Sequence, residues 1–136
     1  MRTIRQTALI RGATPHDIFE TLMDAKRHST LVGGQRVKVS RRPGGAFSVG
    51  HDLEGRTLRV AKDGRIVQSW RANNWPKGLY SKATFALAKT PGGTRITFTQ
   101  TGVPSAFYGE IASGWRTYYW TPLRKQFASR RSGEAA

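Results

Sequence analysis

From Gln35 to Gly102 the hydrophobic period is two, and turn chemistry interrupts it at short intervals. The extended runs are 35–41, 45–52, 54–61, 65–73, 79–89 and 94–102. Between them stand Pro43-Gly44-Gly45, Lys62-Asp63-Gly64, Asn73-Asn74-Trp75-Pro76-Lys77-Gly78 and Pro91-Gly92-Gly93. Asp63-Gly64 and Gly92-Gly93 suit tight hairpin turns. Alternation is clearest in the last run, where Arg95, Thr97, Thr99 and Thr101 oppose Ile96, Phe98 and Gln100. Strands joined this closely are expected to form an antiparallel meander.

Residues 3–11 supply a seventh strand, with Ile4, Gln6, Ala8 and Ile10 on one face and Arg5, Thr7, Leu9 and Arg11 on the other. Thr14-Pro15-His16-Asp17 then opens a helix. Thr14 is a good N-cap, Pro15 suits the first helical position, and Asp17 complements the positive helix end. Ile18, Phe19, Leu22 and Met23 follow at helical spacing. This helix is expected to stop near Ala25, with a further turn over His28 to Val32 before Gly33-Gly34. After Val103-Pro104 the helical period returns. The order is α+β: an antiparallel sheet with its helices on one face, the long C-terminal helix as the cover. The domain is expected to run over residues 1–128. Residues 129–136, SRRSGEAA, lack large apolar side chains and are expected to form a disordered tail.

The C-terminal helix contains GWRTYYWTPLRKQF. At roughly 100° per residue, Tyr108, Ile111, Trp115, Tyr118, Tyr119 and Pro122 fall within about 60° of Trp115. Leu123 lies at the edge of that stripe, and Trp120 lies about 140° from Trp115. A helix covering a sheet needs such a face. A buried tryptophan removes about 200 Å² from water, on the order of 5 kcal/mol gross. The polar tips of these rings also suit a pocket, and both uses can hold at different depths. Pro122 costs a helix interior about 3 kcal/mol, and Gly114 about 1 kcal/mol against alanine. A bend is expected, either to follow a twisted sheet or to leave room for a cavity. Trp120 is expected to be covered by the first helix or exposed as a docking residue.

The chain has 136 residues, which suits one domain. Its 23 lysines and arginines exceed its 8 acids, a formal net charge of +15. Such a balance favours anionic partners. The bases are spread from Arg2 to Arg131, whereas a nucleic-acid footprint needs clustering, so nucleic acid is disfavoured. A solvated basic surface or an acidic protein partner remains. The lack of cysteine removes disulfides, thiolate metal sites and thiol nucleophiles, and fits a cytoplasmic location. MRTIRQTALIRG has no apolar core of a signal peptide, and no apolar run approaches the roughly 20 residues of a membrane span.

Of the three histidines, His16 and His28 read as surface residues at helix ends. His51 lies in HDLEG. If 45–52 stays extended, His51 shares a face with Phe47 and Val49 and has Glu54 near it across a turn, a pairing able to act as general base. The alternative is a polar loop. No histidine pair has zinc spacing, no glycine-rich loop fits a phosphate, and no nucleophile elbow occurs, so neither metal nor cofactor is expected.

Several local patterns occur in one order: Gly44-Gly45 with Phe47, Gly55, Ile66 with Trp70-Arg71, Trp75-Pro76, Gly93-Thr94, Thr99-Gln100-Thr101-Gly102-Val103-Pro104, and Gly114-Trp115 with Tyr119 and Leu123. Together they cover residues 3 to about 127. In this the chain resembles the C-terminal domain of the heat-shock-protein-90 ATPase activator family, within the START-like, birch-pollen-allergen-like (SRPBCC) superfamily of helix-grip domains. The resemblance implies a seven-stranded antiparallel sheet gripping the C-terminal helix, with an apolar cavity between. It also implies binding of hydrophobic ligands or partner proteins, catalysis being confined to some relatives.

Three functional expectations follow. The first is a non-enzymatic binding domain for a small apolar or amphipathic ligand, walled by Trp70, Trp75, Phe85, Phe98, Trp115, Tyr118 and Tyr119. The second is a chaperone-linked interaction module whose basic surface meets an acidic protein. The third is an enzyme of the polyketide-cyclase or hydrolase kind using His51 and Glu54.

Overall fold

A computed structural model describes residues 1–135, with side chains described as far as Ala128. The tail expected at 129–136 therefore falls outside the residues with described side chains. The strands are β1 (Arg2–Arg11), β2 (Val37–Lys38), β3 (Ala46–Val49), β4 (Leu53–Ala61), β5 (Arg65–Ala72), β6 (Ser81–Thr90) and β7 (Gly93–Val103). They form one sheet in the order β1-β7-β6-β5-β4-β3-β2, and every pairing is antiparallel. The seven strands and the meander are those the alternation predicts; the chain closes the sheet order by placing β1 beside β7.

The strands differ in length for local reasons. β2 is cut to two residues between Gly33-Gly34, both at positive φ, and the turn at Gly44. A short edge strand also offers little for another chain to pair with. β3 stops at Val49 because Gly50 takes φ +56°, which turns the backbone three residues earlier than the 45–52 run suggests. At Gly55 in β4 a β-carbon would collide with the Ser69 carbonyl of β5, so the close approach of these strands requires glycine.

Helix α1 (Pro15–Met23) has the capping box expected of Thr14 and Asp17: Thr14 Oγ1 accepts from the Asp17 N–H at 3.0 Å, and Asp17 accepts from the Thr14 N–H at 2.8 Å. Asp24 ends α1 and caps α2 (Ala25–Leu31), accepting from the Arg27 N–H at 2.9 Å. The C-terminal helix comprises α3 (Tyr108–Trp115), a π-helical turn (Arg116–Trp120) and α4 (Thr121–Ala135). α4 crosses β1, and α1 packs on β6 and β7. All helices lie on one face of the sheet, over Ile4, Ala8, Ile66, Phe85, Ile96 and Phe98, which are all buried.

The π turn revises the expected helical face. The Thr121 N–H bonds the Arg116 carbonyl, five residues back. A five-residue turn is wider than an α turn, so residues five apart move toward one face and residues three apart diverge. Trp120 therefore swings inward and is 2% exposed, neither a docking residue nor one set apart from the stripe. Tyr118 swings outward to 56% exposure, and Leu123 moves from the stripe's edge to full burial. The turn ends at Trp120, two residues before Pro122, whose missing N–H and bulky ring disfavour an α turn there. The bend expected from Pro122 thus takes the form of a widened turn.

Candidate functional site

The long helix and the sheet meet through tryptophans. The Trp115 ring lies 4.3 Å from Phe98 and 5.6 Å from Phe85, centroid to centroid. Trp120 stacks on Trp115 at 5.9 Å with planes 22° apart, and meets Phe98 edge-on at 5.4 Å. Two glutamines receive the indole N–H groups. Trp115 Nε1 donates to Gln100 Oε1 at 2.8 Å; Gln100 Nε2 donates to Ser81 Oγ at 2.8 Å; Ser81 Oγ donates to the Trp70 carbonyl at 2.7 Å. Trp120 Nε1 donates to Gln6 Oε1 at 2.7 Å, and Gln6 Nε2 donates to the Ala112 carbonyl at 2.9 Å. These glutamines sit on adjacent strands, in the inward positions that the alternation assigned to them.

Phe85, Phe98 and Trp120 thus fill the space between sheet and helix. The opening lies at one end of this packing. A cleft of about 360 Å³ runs between α3 with the π turn on one side and the ends of β3, β4 and β5 on the other. Trp70, Trp115, Tyr118 and Tyr119 line it, with Val32, Val49, Leu53 and Ile111 as aliphatic wall. Gln35, Asp52, Asn73, Asn74 and Glu110 are its polar lining. Trp75, Phe85 and Phe98 are not on the lining. Trp75 is buried against Trp70 and Phe107, at 5.4 and 6.4 Å between centroids.

Trp70 carries an unmatched group. It is 3% exposed, and its buried Nε1, like that of Trp75, has no hydrogen-bond partner among the described residues. A buried N–H without an acceptor is costly, on the order of 1–3 kcal/mol.

His28 is the residue the sequence places wrongly. It is 3% exposed and not on the surface. Its Nδ1 lies 2.9 Å from the Leu22 carbonyl, which can only accept, so Nδ1 carries the proton. Nε2 then accepts the Tyr119 hydroxyl proton at 2.7 Å. Burial lowers the His28 pKa below its ordinary value and raises that of the Tyr119 phenol, so both are neutral and the pair is fixed in one tautomer. The signal available in the sequence was spacing: His28, Leu31 and Val32 share one helical face. The pair backs the Tyr119 wall of the cleft and holds its ring in place.

His51 and Glu54 do not assemble. With β3 ended at Val49, His51 falls in the exposed turn and is not on the cleft lining. Glu54 Oε1 instead accepts from Arg71 at 3.4 Å and Tyr80 at 3.2 Å on the outer side of the sheet. The sequence-based pairing failed because it assumed an extended backbone through Gly50. Among the described residues, no group of three or more histidine or acidic side chains could hold a metal ion. Among the described residues, no helix is long and apolar enough to cross a membrane.

Comparison with known proteins agrees with this geometry. The Plasmodium falciparum protein PFC0360w, described as an HSP90 activator, has a crystal structure that superposes with a TM-score of 0.86 at 20% identity, covering 94% of this chain and 97% of that one. The Dictyostelium discoideum activator of 90 kDa heat shock protein ATPase homolog is 34% identical over 88 residues, which are 62% of this chain and 23% of that protein. An uncharacterized Schizosaccharomyces pombe protein is 28% identical over 116 residues, 85% of this chain and 34% of that protein. The chain thus spans about a third or less of the curated relatives it matches. The family model for activator of Hsp90 ATPase homolog 1-like proteins matches residues 12–128, and the chain belongs to that family.

Proposed function

We propose that this protein is a non-enzymatic binding domain whose cleft takes a small hydrophobic or amphipathic ligand. The observation that carries this reading is the lining of the cleft, where Trp70, Trp115, Tyr118 and Tyr119 stand with Val32, Val49, Leu53 and Ile111. These rings and aliphatic side chains would take the apolar body of a ligand, and the polar side chains of the lining its polar end. The ligand space of this reading is the open cleft, beside the packed rings of Phe85, Phe98 and Trp120. Native mass spectrometry and tryptophan quenching against a panel of lipids and aromatic compounds test the reading. Saturable binding that Trp70→Phe weakens supports it. No response across the panel sinks it.

A second reading has its own observation. Arg5, Arg65, Lys82 and Arg95 are exposed on the sheet face away from the helices, and none forms an ion pair with an acid among the described residues. With the net charge of +15, this face suits an acidic protein. The relatives named as heat-shock-protein ATPase activators make a chaperone one candidate. Pull-downs that weaken steeply with salt support this reading; capture indifferent to salt contradicts it.

A further inference from the structure

The chain carries 23 basic residues and 8 acidic ones, and the cleft inverts that ratio. Its lining includes Asp52 and Glu110 and no lysine, arginine or histidine. The two carboxylates come from different elements, the turn after β3 and the first turn of α3. Asp52 Oδ1 meets only a side-chain amide, that of Asn73 at 3.4 Å, and neither acid forms an ion pair among the described residues. Four aromatic rings share this lining. The face of an aromatic ring attracts a cation, tryptophan most strongly.

We infer that the cleft selects an organic amine: a cationic head on a flat apolar body. This rests on the ligand-binding reading above and specifies its chemistry. The ammonium group would sit among Asp52, Glu110 and the ring faces. The apolar body lies against Val32, Val49 and Ile111. A carboxylate or phosphate in the same place would face two like charges. The positive field of the whole chain opposes a cation at long range. Screening over about 8 Å at physiological ionic strength mutes that field, while the two acids of the lining act at contact.

The test uses three compounds that share a 1-naphthyloxy body and its ether oxygen: 2-(1-naphthyloxy)ethylamine, 2-(1-naphthyloxy)ethanol and (1-naphthyloxy)acetate. Calorimetry at about 0.15 M salt measures affinity, and the Trp70 indole resonance reports the site. The amine is expected to bind about tenfold more tightly than the alcohol, and the acetate more weakly than either. The double variant Asp52→Asn, Glu110→Gln, whose side chains are solvent-exposed in the parent, removes the amine's advantage over the alcohol. If the alcohol binds as well as the amine, if the acetate binds best, or if the preference survives the double variant, the inference is overturned while the cleft remains a binding site. Silence from all three compounds overturns both.

Discussion

Nε2 of His28, in the short helix α2, accepts the hydroxyl proton of Tyr119, in the π turn, at 2.7 Å, and joins two segments 91 residues apart. The bond needs a neutral imidazole, which sets a pH dependence. Burial depresses the native His28 pKa below 6.5. Between that depressed value and 6.5, the unfolded chain binds a proton that the native protein does not. Stability therefore rises with pH through this window, is complete above it, and is lost as the pH falls. Denaturant unfolding at pH 7.5 and pH 5 is expected to show a lower midpoint at pH 5. His28→Gln should lower stability at pH 7.5 and flatten the difference. An equal pH difference in the variant would remove His28 as its cause.

Gln100 is fully buried and holds the Trp115 N–H. Gln100→Leu preserves bulk and leaves that donor unmatched. The expected cost is about 1–3 kcal/mol in urea unfolding. Gln6→Leu, at a half-buried site, should cost less. The reverse order would mean that Gln6 is the stronger tie between helix and sheet.

The π turn can be tested by removing one residue. Without Thr117, Trp115 and Trp120 stand four apart, and both face the sheet in an α-helix. Pro122 then returns to an α interior at a cost of about 3 kcal/mol. The deletion alone should be destabilising by about that amount, and deletion combined with Pro122→Ala should recover most of it. No recovery would show that the turn is imposed by packing independently of the proline.

Gly55→Ala drives a methyl group into the Ser69 carbonyl on the neighbouring strand. Neither backbone can move without breaking the β4–β5 register. A loss of 1–3 kcal/mol or more is expected, on the order of other overpacking changes. A thermal midpoint equal to the parent's would mean that the strands can separate locally.

The sheet was legible because alternation and turn residues are local properties. Thr97 beside Ile96, or Asp63 before Gly64, carries its meaning within a few residues. The family resemblance added the helix grip. The helical face was only partly legible, because spacing at 100° per residue cannot register a π turn; Trp120 and Tyr118 exchanged places for that one reason. The cleft was half visible: Trp70, Trp115, Tyr118 and Tyr119 line it, while Phe85, Phe98 and Trp75 pack elsewhere. His28 was missed because its partner lies 91 residues away, and His51 was misjudged at a single glycine.

The most direct test follows the four tryptophan indole N–H resonances during titration with 2-(1-naphthyloxy)ethanol. A ligand in the cleft shifts Trp70, whose side chain is part of the lining. Trp120, tied to Gln6 and absent from the lining, should stay in place. Trp70 unmoved at saturating probe, or all four resonances drifting together, would contradict a binding site in this cleft.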